Sequence, residues 1–274
     1  MENIEYKLLA LDIDGTTLND DGIISEENIE YISKIIESGI KVTLISGRCQ
    51  YTLSKIAKQL NLNGYMSALN GNIIFNLDDE KVVAEHVIDE NILMNLLNIS
   101  QDTDSMLAVF IGDYTYVESV DDPIAVDFQK FTEIPFVETG NMIDYLIEND
   151  LTHKVNKIAF VDDYEKLKKL RDKIPEELSE SLSQVFSLPI CLEIFNNKIG
   201  KGSALREIAN LYDIDRSQII AIGDGENDID MLKYAGKGIA TENCMSLVKY
   251  HADEITVSNN DHAVARVIQK YFLA

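Results

Sequence analysis

The run Leu8-Leu9-Ala10-Leu11-Asp12-Ile13-Asp14-Gly15-Thr16 constrains this chain more than any other stretch. A short apolar segment of this kind fits a buried strand. It ends in two carboxylates at i and i+2, which period-two alternation starts on the same side as the strand runs out. Two adjacent carboxylates repel unless a cation or a proton lies between them. Ending a buried strand this way is costly without a return in function. The economical reading is an active site at the carboxyl end of a parallel sheet, where open α/β folds place their ligands. Asp-x-Asp-Gly also suits a solvated turn, because Asp and Gly are good turn formers. A helix–loop–helix calcium loop does not fit. It needs an acidic residue at its twelfth position, which counted from Asp12 is Ile23.

Strand and helix patterns alternate from this point. Residues 7–12 read as a strand, and Ser25 caps a helix to Ser38, with Ile29, Ile32, Ile35 and Ile36 at helical spacing. The β-branched run Ile40–Ile45 ends in Ser46-Gly47-Arg48, and a second helix follows through Leu60. Strand–helix–strand–helix with short loops predicts a doubly wound, mainly parallel sheet, a Rossmann-like α/β core.

The middle third reads differently. Met106–Ile111 and Tyr114–Val117 flank Gly112-Asp113, a hairpin signal that implies antiparallel pairing. Residues 82–188 therefore read as an inserted α+β domain. After Pro189 the parallel pattern is expected to return, with a helix over 201–212, a strand over 218–222 and a helix over 228–235. Residues 1–81 and 189–274 would then form one discontinuous domain, with linkers near 79–82 and 188–191 that could act as a hinge.

Composition narrows the function classes. The chain has 274 residues and a formal net charge of −23. That disfavours a broad nucleic-acid surface and an anionic membrane, since both need clustered Lys and Arg. It does not forbid a small anionic substrate, because local positive charge and a metal can override a repulsive global field. Three dispersed cysteines (Cys49, Cys191, Cys244) in no Cys-x-x-Cys pair fit reduced thiols and a cytoplasmic compartment. The four histidines are scattered, which disfavours a histidine zinc site. No apolar stretch approaches a membrane span.

Four polar clusters fall at strand ends or helix starts of the inferred sheet: Asp12/Asp14, Ser46-Gly47-Arg48, Lys201, and Asp224/Asn227/Asp228. Each alone also fits a turn, a helix cap, a solvated lysine or a surface loop. Together they supply the parts of phosphoryl transfer: a nucleophile, a hard cation, donors for phosphate oxygens and an acid/base. Asp12 and Asp224 suit magnesium, with Asp228 as an outer ligand. Ser46 and Gly47 suit phosphate oxygens, Lys201 offers a compact positive charge, and Asn227 offers an amide donor. Gly200-Lys201-Gly202-Ser203 lacks the order of a P-loop, and no dinucleotide fingerprint follows the first strand.

Asp12-Ile-Asp-Gly-Thr, Ile45-Ser-Gly-Arg48, Lys201-Gly-Ser-Ala-Leu205 and Ile222-Gly-Asp-Gly-Glu-Asn-Asp228 resemble the four motifs of the haloacid dehalogenase superfamily. More narrowly, the chain is similar to its Cof-type sugar-phosphate phosphatases, which carry a class IIB cap. The resemblance implies Asp12 as nucleophile and Asp14 as general acid/base. Ser46 and Lys201 would hold the phosphate with Asn227. Asp12, the Asp14 backbone carbonyl and Asp224 would bind Mg2+, and Arg48 and Asn70 would lie near the substrate. Residues near 82–188 would be the substrate-selecting cap. Thr17, Thr241-Glu242 and His262-Ala263 depart from the usual Leu, Met-Gly and Asp-Gly. The expectation is a phosphatase of small phosphorylated metabolites; a phosphomutase or a non-catalytic phosphosugar-binding protein are the alternatives.

Overall fold

The computed structural model describes residues 5–132 and 134–273. In chain order the strands are β1 (Leu8–Leu11), β2 (Lys41–Leu44), β3 (Tyr65–Ala68), β4 (Ile73–Asn76), β5 (Val82–Glu85), β6 (Met106–Ile111) and β7 (Tyr114–Val117). They continue as β8 (Phe136–Glu138), β9 (Lys157–Val161), β10 (Leu182–Leu188), β11 (Cys191–Asn196), β12 (Ile219–Gly223), β13 (Lys237–Ala240) and β14 (Glu254–Ile255). The chain divides into two compact units. The first is Met1–Gly47, Leu53–Ala84 and Gly200–Ala274; the second is Arg48–Thr52 and Glu85–Ile199.

The first unit is built on a parallel sheet in the order β14-β13-β12-β1-β2. β1 lies between β12 and β2 and is buried throughout, as a strand covered on both faces must be. Helices do the covering. Ser25 caps Glu26–Glu37 by accepting the Asn28 N–H, and Ile32 and Ile35 of that helix are buried. Asn28, also buried, accepts the Ala265 N–H at 3.0 Å and ties this helix to Ala263–Tyr271. Ala204, Leu205, Ile208 and Ala209 join Met231 and Leu232 in the core against Leu8, Ala10, Ile219 and Ala221.

Register decides where the polar ends fall. Leu11 sits opposite Ile222 on one side and Leu44 on the other. Asp12, Gly223-Asp224 and Ile45-Ser46 therefore leave the sheet at one edge, with Asp12 N–H on the Ile222 carbonyl and Ile45 N–H on that of Leu11. A parallel bridge from Ile45 to Ser67 leads on to the three-stranded sheet β3-β4-β5, whose β3–β4 pair is antiparallel.

The second unit carries a six-stranded sheet, β10-β11-β9-β6-β7-β8, antiparallel except for the β7–β8 pair. The β6–β7 hairpin turns at Gly112, as its sequence predicts. The boundaries differ from the expected ones. The divisions fall at 84/85 and 199/200, not at 81/82 and 188/189. β5 extends the β3-β4 pair, and β11 pairs antiparallel with both β10 and β9. Cys191-Leu-Glu-Ile-Phe is thus a strand of the second unit, not the return of the parallel pattern. The stretches near 79–82 and 188–191 are tight connections between paired strands, so neither is a free linker.

Gly71 shows how closely the first unit is packed. Its φ is +101°, and a Cβ there would lie 2.5 Å from the Gly200 carbonyl oxygen. Gly39 also has positive φ, +91°, but opens onto free space. A left-handed alanine costs about 1–2 kcal/mol, and each kcal/mol lowers Tm by about 2–4 °C in a domain of this size. Gly39→Ala should therefore melt a few degrees low and Gly71→Ala at least twice as far below wild type. Equal shifts in thermal melts would show that the 71–200 approach carries no strain.

Candidate active site

The centre of the site is a buried lysine between two carboxylates. Lys201 opens the helix Lys201–Leu211 and is 1% exposed. Its Nζ donates to Asp12 Oδ1 at 2.5 Å and to Asp228 Oδ1 at 2.6 Å. Asp12 follows β1 directly. Asp228 closes the turn after β12, where its Oδ2 accepts the N–H groups of Asp224 and Gly225, each at 2.9 Å. Both Asp228 oxygens are thus engaged in holding the lysine and the turn.

Asp12, Asp224 and Asp228 can present one oxygen each within 4.8 Å of one another. Three carboxylates against one ammonium leave two formal negative charges. Burial, then the neighbouring Asp228, holds the Asp12 carboxyl well above the usual range, and the same causes push Asp224 up to about 7. Burial works against the charge on Lys201, but Asp12 and Asp228 outweigh it and raise the ammonium above its ordinary range, keeping it charged. An all-oxygen donor set with two excess negative charges fits a hard dication such as magnesium.

Asp14 is not one of the three carboxylates that can share an ion. β1 ends at Leu11, and the Ile13 carbonyl accepts the N–H groups of Thr16, Thr17 and Leu18. The chain coils there, so strand alternation does not extend to Asp14, which is partly buried. Thr17 Oγ1 donates to the Asp12 carbonyl at 2.6 Å, and Thr16 Oγ1 donates to Asp224 Oδ1 at 2.6 Å. The Thr17 departure therefore fills a structural place, since its hydroxyl ties the loop to the strand end. Gly15 has φ +79°, and a Cβ there would lie 2.3 Å from Asp224 Oδ2. Asn243 Nδ2 on the Gly15 carbonyl (2.8 Å) and Asn259 Nδ2 on that of Leu18 (3.0 Å) anchor the loop from the C-terminal third.

Ser46 is buried. Its N–H donates to the Ser67 carbonyl at 3.0 Å, and its carbonyl accepts the Asn70 N–H at 2.8 Å. Asn70 is buried in a left-handed conformation (φ 58°), and its Oδ1 accepts from Asn227 Nδ2 at 3.0 Å. The structure thus joins Ser46, Asn70 and Asn227 in one chain of hydrogen bonds. The following helix begins at Gln50, so Ser46 and Gly47 are not at its first turn as expected. Arg48 is partly buried and falls in the segment Arg48–Thr52 that groups with the second unit. The hydrogen bonds of Thr16 and Thr17, and the part played by Asn243 and Asn259, are not foreseeable from the sequence.

A family model described as haloacid dehalogenase-like hydrolase matches residues 9–268. The chain belongs to that family. It is a Cof-type phosphoric monoester hydrolase, with a Rossmann-like core and additional antiparallel sheets. It is 31% identical to YxeH of Bacillus subtilis, a provisionally named phosphatase, over 98% of this chain and 99% of that one. It is 28% identical to the 5-amino-6-(5-phospho-D-ribitylamino)uracil phosphatase YwtE of the same organism, covering 96% and 97% of the two chains. A haloacid dehalogenase-like hydrolase from Bacteroides thetaiotaomicron superposes with a TM-score of 0.84 at 30% identity, over 98% of this chain and 100% of that one.

The raised carboxyls have a consequence for stability. With Asp224 pushed to about 7 in the folded chain and ordinary when unfolded, the native state keeps a proton that the unfolded state has lost. This contribution is full below about pH 4 and is lost as pH rises through about 7. In chelator, melts should therefore lose stability from pH 5 to pH 8. Asp224→Asn, neutral at both, should lose less, by about 2–4 °C for each kcal/mol recovered. Magnesium at pH 8 should raise the wild-type Tm and leave Asp224→Asn nearly unmoved. Identical pH slopes in the two proteins would remove Asp224 as the source.

Proposed function

We propose that this hydrolase removes phosphate from small sugar or polyol phosphates through an aspartyl-phosphate on Asp12, with magnesium as its cofactor. The observation that carries the reading is the buried Asp12–Lys201–Asp228 arrangement, with Asp224 alongside. The phosphatase names of relatives that match over nearly their full length support it, and the ribityl phosphate in the name of YwtE supports the substrate class. Asp12, Asp224 and the Asp14 carbonyl would hold the metal. When bound, magnesium supplies positive charge for phosphate oxygens and offsets the excess charge of the carboxylates.

In this reading an Asp12 carboxylate oxygen forms a bond to phosphorus while the ester P–O bond breaks. Asp14 gives its proton to the leaving alkoxide. Water then attacks the aspartyl-phosphate, its proton passes to Asp14, and inorganic phosphate leaves with Asp12 restored. Lys201, Ser46, Gly47 and Asn227 would bind phosphate oxygens, and Arg48 and Asn70 would lie beside the rest of the substrate. Asp228 holds Lys201 and the Asp224 turn in place. Cys49, Cys191 and Cys244 are free and buried, which supports a reducing, cytoplasmic setting. No helix among the described residues is long and apolar enough to cross a membrane.

Asp12→Asn should lower phosphate release about a thousand-fold or more while leaving the far-ultraviolet spectrum unchanged. Retention of a substantial fraction of the wild-type rate would overturn the covalent route.

Asp14→Asn separates the two half-reactions. Nitrophenolate leaves without a proton, so the variant should release a burst of about one equivalent per enzyme from nitrophenyl phosphate and then stall. A sugar phosphate needs the acid, and its first turnover should slow by about 10²–10⁴. Equal slowing of both first turnovers would make Asp14 structural.

A further inference from the structure

Asp230 lies two residues beyond Asp228, and none of the four motifs includes it. Its Oδ2 accepts the Gly202 N–H at 2.9 Å, and its Oδ1 accepts the Met231 N–H at 2.9 Å. Gly202 is the second residue of the helix that Lys201 opens, and the N-cap, Gly200, has no side chain with which to cap. First-turn N–H groups have no partner within their own helix. A carboxylate reaching in from a neighbouring element satisfies one of them and meets the positive end of the helix dipole.

The fit is close. A Cβ on Gly200 would lie 2.3 Å from Asp230 Oδ2, and one on Gly202 would lie 2.6 Å from the Asp230 carbonyl oxygen. The space of two missing side chains is where Asp230 stands. The segment after β12 therefore touches the lysine helix twice, through Asp228 at the ammonium and through Asp230, in the helix Ile229–Tyr234, at the backbone of the next residue.

We propose that Asp230 is a positioning residue for Lys201: its grip on the Gly202 N–H sets where the helix begins and so where the ammonium stands. This rests on the reading of Lys201 as a phosphate ligand. Asp230 touches neither substrate nor metal in this account. It acts only through the lysine.

The test is the affinity for inorganic phosphate, measured by calorimetry in magnesium. Wild type, Asp230→Ala, Asp230→Asn, Lys201→Met and the Asp230→Ala/Lys201→Met double variant are compared. Misplacing a binding group by about an ångström can cost as much as a hundred-fold. Asp230→Ala should weaken phosphate binding by about ten-fold, whereas Asp230→Asn, which keeps an oxygen for Gly202, should stay within about two-fold of wild type. With Lys201 already replaced, Asp230→Ala should cause no further loss. Equal weakening in both backgrounds, or none in either, would overturn the assignment. Unchanged affinity in Lys201→Met would instead overturn the phosphate role of the lysine itself. Asp230→Ser, too short to reach Gly202, provides the same comparison if the alanine variant does not fold.

Discussion

Everything at the site depends on one ammonium group taken out of water. Lys201 enters the interior only because Asp12 and Asp228 meet it there, each within 2.6 Å. Burying a charge is expensive unless it is paired and hydrogen-bonded. The pairing links the first strand to a helix 189 residues later and to the turn after β12. Removing either carboxylate would leave a buried lysine short of a partner. Removing the lysine would leave three carboxylates close enough to share a single ion.

Such a cluster is unfavourable by itself, and the surrounding fold holds it together. β1 is the middle strand of the parallel sheet, buried on both sides. Its register with β12 and β2 brings Asp12, Asp224 and Ser46 to a common edge without any long loop. Short connections then lock the details: Thr16 on Asp224, Thr17 on the Asp12 carbonyl, and Asp228 on two backbone N–H groups. Side-chain hydrogen bonds thus fix the loops against the sheet edge.

Much of this was legible in the chain. Buried parallel strands advertise themselves as apolar runs, so β1, β2 and β12 were found nearly at their observed bounds. A residue that must be polar at the end of such a run stands out, and that made Asp12, Ser46 and Asp224 visible. What escaped was long-range pairing. Cys191–Asn196 reads as any apolar strand, and nothing local says that its partners are β10 and β9 rather than the parallel sheet. Two-residue β14 and three-residue β8 are too short for a periodic signal. Asn243 and Asn259 act through hydrogen bonds to the Gly15 and Leu18 carbonyls and through the Asn259 N–H on Asn243 Oδ1, contacts that nothing in their local sequence announces.

A comparison within the molecule shows why burial of a charged residue does not alone mark a functional centre. In the second unit Lys157 is as buried as Lys201. It pairs with Glu193 on the adjacent β11, and its ammonium lies 4.5 Å from the Phe110 ring centroid. There the ammonium pairs with a carboxylate of the neighbouring strand beside an aromatic face. Around Lys201 one ammonium pairs with two carboxylates, and a third, Asp224, stands close enough to share an ion with them, inside a protein that already carries −23 overall. A folding requirement would select against that imbalance, since it destabilises the chain as the carboxyls ionise. Its persistence at the carboxyl edge of a parallel sheet distinguishes this lysine from the other: the fold tolerates an unbalanced cluster where chemistry can complete it.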